Sequence, residues 1–220
     1  MDKNLVLEKK KQVNPKIVEY VESEIFPQYL KFVGGHGLEH IQDVIERSFQ
    51  FGATVPEINF DMVYVIAAYH DIGRKIDNDT HEIQSAKLFL EDETICKFFT
   101  SAQQKTIAEA IEDHRASSKS EPRSIYGKIV SSADRGFSVE DSLRRSTSYN
   151  RSLHPQFSRE EIIENARFHL RKKYAPGGYA ARKMYFDDPL FTEYMQEIER
   201  VTASAEAFEK ALEEFGITVV

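Results

Sequence analysis

Apolar residues recur at three- and four-residue spacing almost throughout the chain, which predicts helices. Strict apolar–polar alternation with Asn-Gly or Asp-Gly turns, the signature of hairpins, is missing. Asn14-Pro15 reads as a cap and first-turn proline, opening a helix with Ile17, Val18, Val21, Ile25 and Leu30. Pro27 is expected to kink it, and Gly34, Gly35 and Gly37 to break it. Leu38, Ile41, Ile45 and Phe49 form the stripe of a second helix, ended by Gly52 and Pro56. The third, from about Asn59 to Asp71, is apolar on every side, as a buried central helix is, with Gly73 as its expected C-cap.

Downstream, Asp79-Thr-His-Glu82 has the form of a capping box, opening a helix that carries Ile83, Ala86 and Leu90 as its apolar positions. Another helix spans about Ser101 to His114, and the next, with Pro122 near its start, runs to about Asp134. Ser138 to Ser152 fits either a helix or a loop. Ser158 caps a helix through Ile162, Ile163 and Ala166. Lys173 to Tyr179, with Pro-Gly-Gly, reads as a mobile loop, and a last helix is expected from Pro189 to Phe215. The expectation is an all-α bundle of one domain, residues 1–220, with its chemistry in 30–136 and a helical cover in 137–220.

Composition narrows the function. The 220 residues are 41% hydrophobic and 30% charged, ordinary for a globular chain. A net charge of −7 argues against gripping duplex nucleic acid, which needs clustered Lys and Arg. Cys96 is the only cysteine, so neither an internal disulfide nor a thiolate zinc site is available. The start lacks a signal-type apolar run, and no stretch approaches the ~18 apolar residues of a membrane span. A cytoplasmic protein is expected, without membrane association. Its acidic surface and C-terminal helix leave room for a protein partner, including a second copy in a homodimer.

Five of the seven histidines fall between residues 36 and 114. His70-Asp71 closes the most apolar helix. A carboxylate withdrawn from water costs several kcal/mol unless paired or coordinating a cation, and imidazole with carboxylate suits a transition metal. A capped helix end with a surface His-Asp pair fits the same residues. His36 and His40 share one helix face with Asp43 and Arg47; a solvated stripe is the plainer reading. His114 continues an apolar face, as a hydrogen-bonded core histidine or as a ligand. His81 lies in a first turn, where periodicity does not decide its role. Asp134 at a helix C-terminus opposes the macrodipole, a cost that a nearby cation would remove. His154 and His169 have no metal-type partner at useful spacing and read as structural.

The ordered set His36-Gly-Leu-Glu-His40, His70-Asp71-Ile-Gly73, His114-Arg115 and Ala133-Asp134-Arg135 resembles the HD-domain phosphohydrolase superfamily over about residues 30 to 136. The resemblance implies an HD-domain-like helical bundle with additional C-terminal helices. It also implies one divalent ion (Mn, Fe, Co, Mg, Ni or Zn) held by His40, His70, Asp71 and Asp134. His81 and His114 resemble the extra ligands of members with two metals. His36 would then support the ligands from behind or face the substrate. The family often has Lys after His-Asp-x-Gly; here Arg74 stands there and Lys75 follows. Arg74, Lys75 or Arg135 would offset phosphate charge, and Asp113, Glu39 or His36 would handle a proton. The expected activity is metal-dependent hydrolysis of a small phosphate ester, a nucleotide above all. The alternatives are a di-iron HD-type oxygenase and a nucleotide-binding module without turnover.

Overall fold

The computed structural model describes residues 3–32, 37–136, 138–181 and 184–219. It is 68% helical, with no strand among the described residues. The chain divides into two compact units, one up to Asp134 and one from Arg135.

The first unit begins with α1 (Lys3–Lys10) and α2 (Pro15–Tyr20), followed by a π-helical turn Val21–Ile25 and α3 (Phe26–Tyr29). Asn14 does cap α2, its side chain accepting from the Lys16 amide. Pro27 lacks the N–H that an α-ladder needs, and the wider π turn precedes it, as expected of an inserted helix defect. Leu30 is exposed rather than inward, because it lies beyond the end of α3.

Then come α4 (Leu38–Gly52), α5 (Phe60–Tyr69), a 3-10 turn Ile72–Lys75, α6 (His81–Glu91), α7 (Glu93–Cys96), α8 (Ser101–Glu112) and α9 (Ile125–Ala133). The α5 helix is the centre of this unit. It packs on α4, α8 and α9, and nine of its ten residues are buried. That burial from all sides explains its uniformly apolar sequence. Its cap is Asn59, whose side chain accepts from the Asp61 and Met62 amides.

Three local expectations are corrected. The capping box at 79–82 is absent: Thr80 is the N-cap of α6 and makes no side-chain capping bond, its hydroxyl going instead to Asp77. Ile83 and Leu90 are exposed, while His81, Ser85, Ala86 and Phe89 form the buried face of α6. The reason is the 3-10 turn, which docks on α6 and whose Gly73 amide donates to Ser85 Oγ at 2.8 Å. This fixes which face of α6 turns inward. Gly73 is therefore not a C-cap. A Cβ there would meet the His81 carbonyl oxygen at 2.4 Å and the Ser85 nitrogen at 2.5 Å, so glycine is required by close backbone approach.

The second unit holds α10 (Val139–Leu153), α11 (Arg159–Tyr174), α12 (Pro189–Thr202) and α13 (Ala205–Glu214). The ambiguous Ser138–Ser152 stretch is helical, with Ser138 capping α10 through the Asp141 amide. Ser158 caps α11 in a full capping box with Glu161. The expected last helix is two: the chain breaks at Ala203, and Ser204 caps α13.

Candidate metal centre

The ends of α5, α8 and α9, the start of α6 and the first turn of α4 bring six side chains to one point. Adjacent helix residues diverge, yet His70 and Asp71 both face inward because α5 stops between them. His70 keeps helical angles, whereas Asp71 (φ −108°, ψ 0°) leads into the 3-10 turn. His70 Nε2 consequently lies 3.7 Å from Asp71 Oδ2. Both side chains are fully buried. Tyr29 supports this helix end by donating to the Ala68 carbonyl at 2.8 Å.

His40, from the first turn of α4, puts Nε2 3.1 Å from Asp134 Oδ1 and 3.8 Å from Asp71 Oδ2. His70 Nε2 is 3.8 Å from the same Asp134 oxygen. On the other side, His81 Nε2 is 3.2 Å and His114 Nε2 3.6 Å from Asp71 Oδ1. The two ring nitrogens are 3.2 Å apart. Two triads fall within ligand spacing, His40–His70–Asp134 and His70–Asp71–His114.

Three of these histidines are oriented alike. The Nδ1 of His70, His81 and His114 meets the carbonyl three residues earlier, on Ala67, Asn78 and Ile111, at 2.8, 2.8 and 2.6 Å. A ring that donates through Nδ1–H presents a lone pair at Nε2, and such backbone support is how ligating imidazoles are held. His70 Nε2 is buried with no hydrogen-bond partner, an orphan of the kind that coordination would satisfy. Imidazole nitrogens and carboxylate oxygens suit a first-row divalent ion. The residues therefore fit the group.

The electrostatics agree. Burial pushes the His70 pKa down to about 4 despite the neighbouring Asp71 and Asp134, so the ring is neutral, as a ligand must be. Burial would also lower His114, but the hydrogen bond and charge of Asp71 prevail and raise it. For Asp134 burial acts upward, and the His40 hydrogen bond with the adjacent imidazoles holds the carboxyl well below its usual range.

Residues 37–135 match the family model of the HD domain. Over this segment, just under half of its length, the chain is similar to the HD domain. HD domains are in general metal-dependent hydrolases that bind divalent ions, and the His/Asp cluster of this chain is compatible with such an ion. No curated protein and no solved structure matched the chain.

The other residues singled out from sequence fall in different places around this cluster. Arg74 lies at its edge, with Nε 2.8 Å from Asp71 Oδ2. Lys75 is exposed and donates to Gln28 Oε1 at 2.6 Å. Asp113 caps α8 and is held by Arg123, whose backbone amide, Nε and Nη2 reach its carboxylate at 2.7 to 3.1 Å. That carboxylate is occupied away from the cluster. Arg115 pairs with Glu82 at 3.0 Å, and Glu39 is exposed. Arg135 is buried at the start of the second unit. His36 lies outside the described residues.

Arg47 is a further residue whose sequence reading the structure overturns. Arg47 looked like part of a solvated stripe, yet it is fully buried, with Nε donating to the Ala133 carbonyl at 3.2 Å. It thus grips the backbone next to Asp134. The signal was present: Arg47 is seven residues after His40 and three after the buried Val44, on the face that α4 turns toward α9.

Proposed function

We propose that this HD domain hydrolyses a small phosphate ester, a nucleotide by class, with one of the divalent ions at the histidine–aspartate cluster. The observation that supports it is the convergence of imidazole Nε2 atoms and two carboxylates on a buried point where His70 Nε2 has no partner. In this reading His40, His70, Asp71 and Asp134 hold the ion, with His114 beside them. A divalent ion so held lowers the pKa of water toward neutrality and polarises a phosphoryl oxygen.

The chain's own groups supply the rest. Arg74 stands at the rim of the cluster as a permanent, planar cation. It offsets the charge that builds on the phosphoryl oxygens. The backbone carbonyls of Ala67 and Ile111 keep His70 and His114 in the Nδ1–H tautomer. The burial of His70 and Asp71 excludes water from their side of the site and strengthens these interactions. Asp113, engaged by Arg123, keeps a capping role in this scheme.

The test is phosphate release from a panel of nucleotides and simple phosphate esters. Chelator-treated protein is expected to be inactive, and Mn, Co or Fe to restore turnover. Full activity without metal would overturn the proposal. Binding of a nucleotide without release would point to a binding module instead.

A further inference from the structure

The family resemblance leaves one or two ions open, and the geometry around Arg74 bears on the choice. Its guanidinium makes three contacts. Nε pairs with Asp71 Oδ2 at 2.8 Å, Nη2 reaches His81 Nε2 at 3.3 Å, and Nη1 donates to the Asn78 side-chain oxygen. Asn78 serves both partners, since its backbone carbonyl takes the Nδ1–H of His81 at 2.8 Å. That bond sets the tautomer of His81 and makes Nε2 the acceptor. An imidazole nitrogen has one lone pair, so His81 Nε2 serves either Arg74 or a metal ion. A carboxylate oxygen has two, so Asp71 can serve both.

We propose that Arg74 takes the place of a second metal ion, withdrawing His81 from the ligand set and limiting the centre to a single ion. The proposal rests on the reading of the cluster as a metal centre. The lone pair held by Arg74 is the one that faces Asp71 Oδ1 and His114 Nε2, each at 3.2 Å, the groups with which His81 would otherwise share an ion. Arg suits this role better than Lys. Its planar fork reaches two acceptors, on Asn78 and His81, while pairing with the Asp71 carboxylate, where an ammonium is a single point of charge. A second divalent cation would also meet the fixed positive charge within a few ångströms in a site largely closed to water, where repulsion is weakly screened. Arg74 then supplies, as a guanidinium, the charge that a second ion supplies elsewhere. A single ion also leaves no room for two-iron oxygenase chemistry.

The test is metal content. Full-length protein is saturated with Mn, freed of excess by gel filtration, and analysed for Mn per chain; its electron paramagnetic resonance spectrum is recorded. The wild type is expected to hold about one Mn with an isolated-ion spectrum. Arg74→Met, folded by circular dichroism, is expected to hold about two with an exchange-coupled spectrum. Two ions in the wild type overturn the proposal, and that measurement stands even where the variant does not fold. One ion in folded Arg74→Met overturns it as well. No retained ion in either protein removes the metal-centre reading itself, whereas two ions in both remove only the role of Arg74.

Discussion

His70 shows how one side chain ties stability to chemistry. Its ring is buried, its Nδ1 is committed to the Ala67 carbonyl, and its pKa falls from 6.5 to about 4. The unfolded chain therefore holds more protons than the folded one between those values, and metal-free protein loses stability as the pH drops from about 6.5 to about 4. The loss from this group is about 3 kcal/mol, at 1.36 kcal/mol per pKa unit. His114 and Asp134 act in other windows. The raised His114 contributes stability that is lost only as pH rises above its ordinary 6.5, and the depressed Asp134 stability that is lost below its ordinary 3.8. Denaturant titrations in chelator across this range measure the slope, and His70→Gln should flatten it. His70→Ala should retain helical circular dichroism while bound metal falls from stoichiometric to near zero; unchanged metal content would remove His70 from the ligand set.

Single contacts also set the placement of whole elements. The 3-10 turn after α5 lies directly on α6, and Gly73→Ala places a methyl against backbone, which cannot swing aside. A loss of about 2–3 kcal/mol is expected, with weaker metal retention because the turn that Asp71 opens shifts and carries Asp71 away from His40 and His70; equilibrium unfolding and metal titration read both. At the C-terminal end of α8, one residue before His114, Arg123 binds Asp113, Glu112 and the Glu109 carbonyl. Its side chain is 44% exposed, so solvent weakens these bonds. Arg123→Ala should cost only about 1 kcal/mol and leave metal content unchanged. A loss of metal would give Asp113 a role at the centre that its bonding does not support.

For the whole molecule, metal binding and folding are linked, because ligands from α4 and from the ends of α5 and α9 meet only in the folded first unit. An ion at a hundredfold excess over its Kd adds about 2.7 kcal/mol, which raises the unfolding midpoint by roughly 5–10 °C for a chain of this size. A thermal scan with and without chelator checks this; equal midpoints would mean that no ion binds the native state. No described helix is long and apolar enough to cross a membrane.

The helical class, the buried α5 and its His-Asp terminus were legible in the sequence because they rest on local periodicity and on the cost of a buried carboxylate. The caps at Asn14 and Ser158 were legible for the same reason: a capping side chain acts within three residues of its own position. Ile83 and Leu90 misled because α6 is amphipathic in two ways, and only the docking of Gly73 decides which face goes inward. Arg47 misled because a charged residue on a helix reads as solvated until its neighbours are known. His81 and His114 stood in the sequence as histidines of undecided role. Tertiary structure alone turned their Nε2 atoms toward Asp71, and it alone set Arg74 against His81, since those contacts join residues from separate elements whose approach no local pattern specifies.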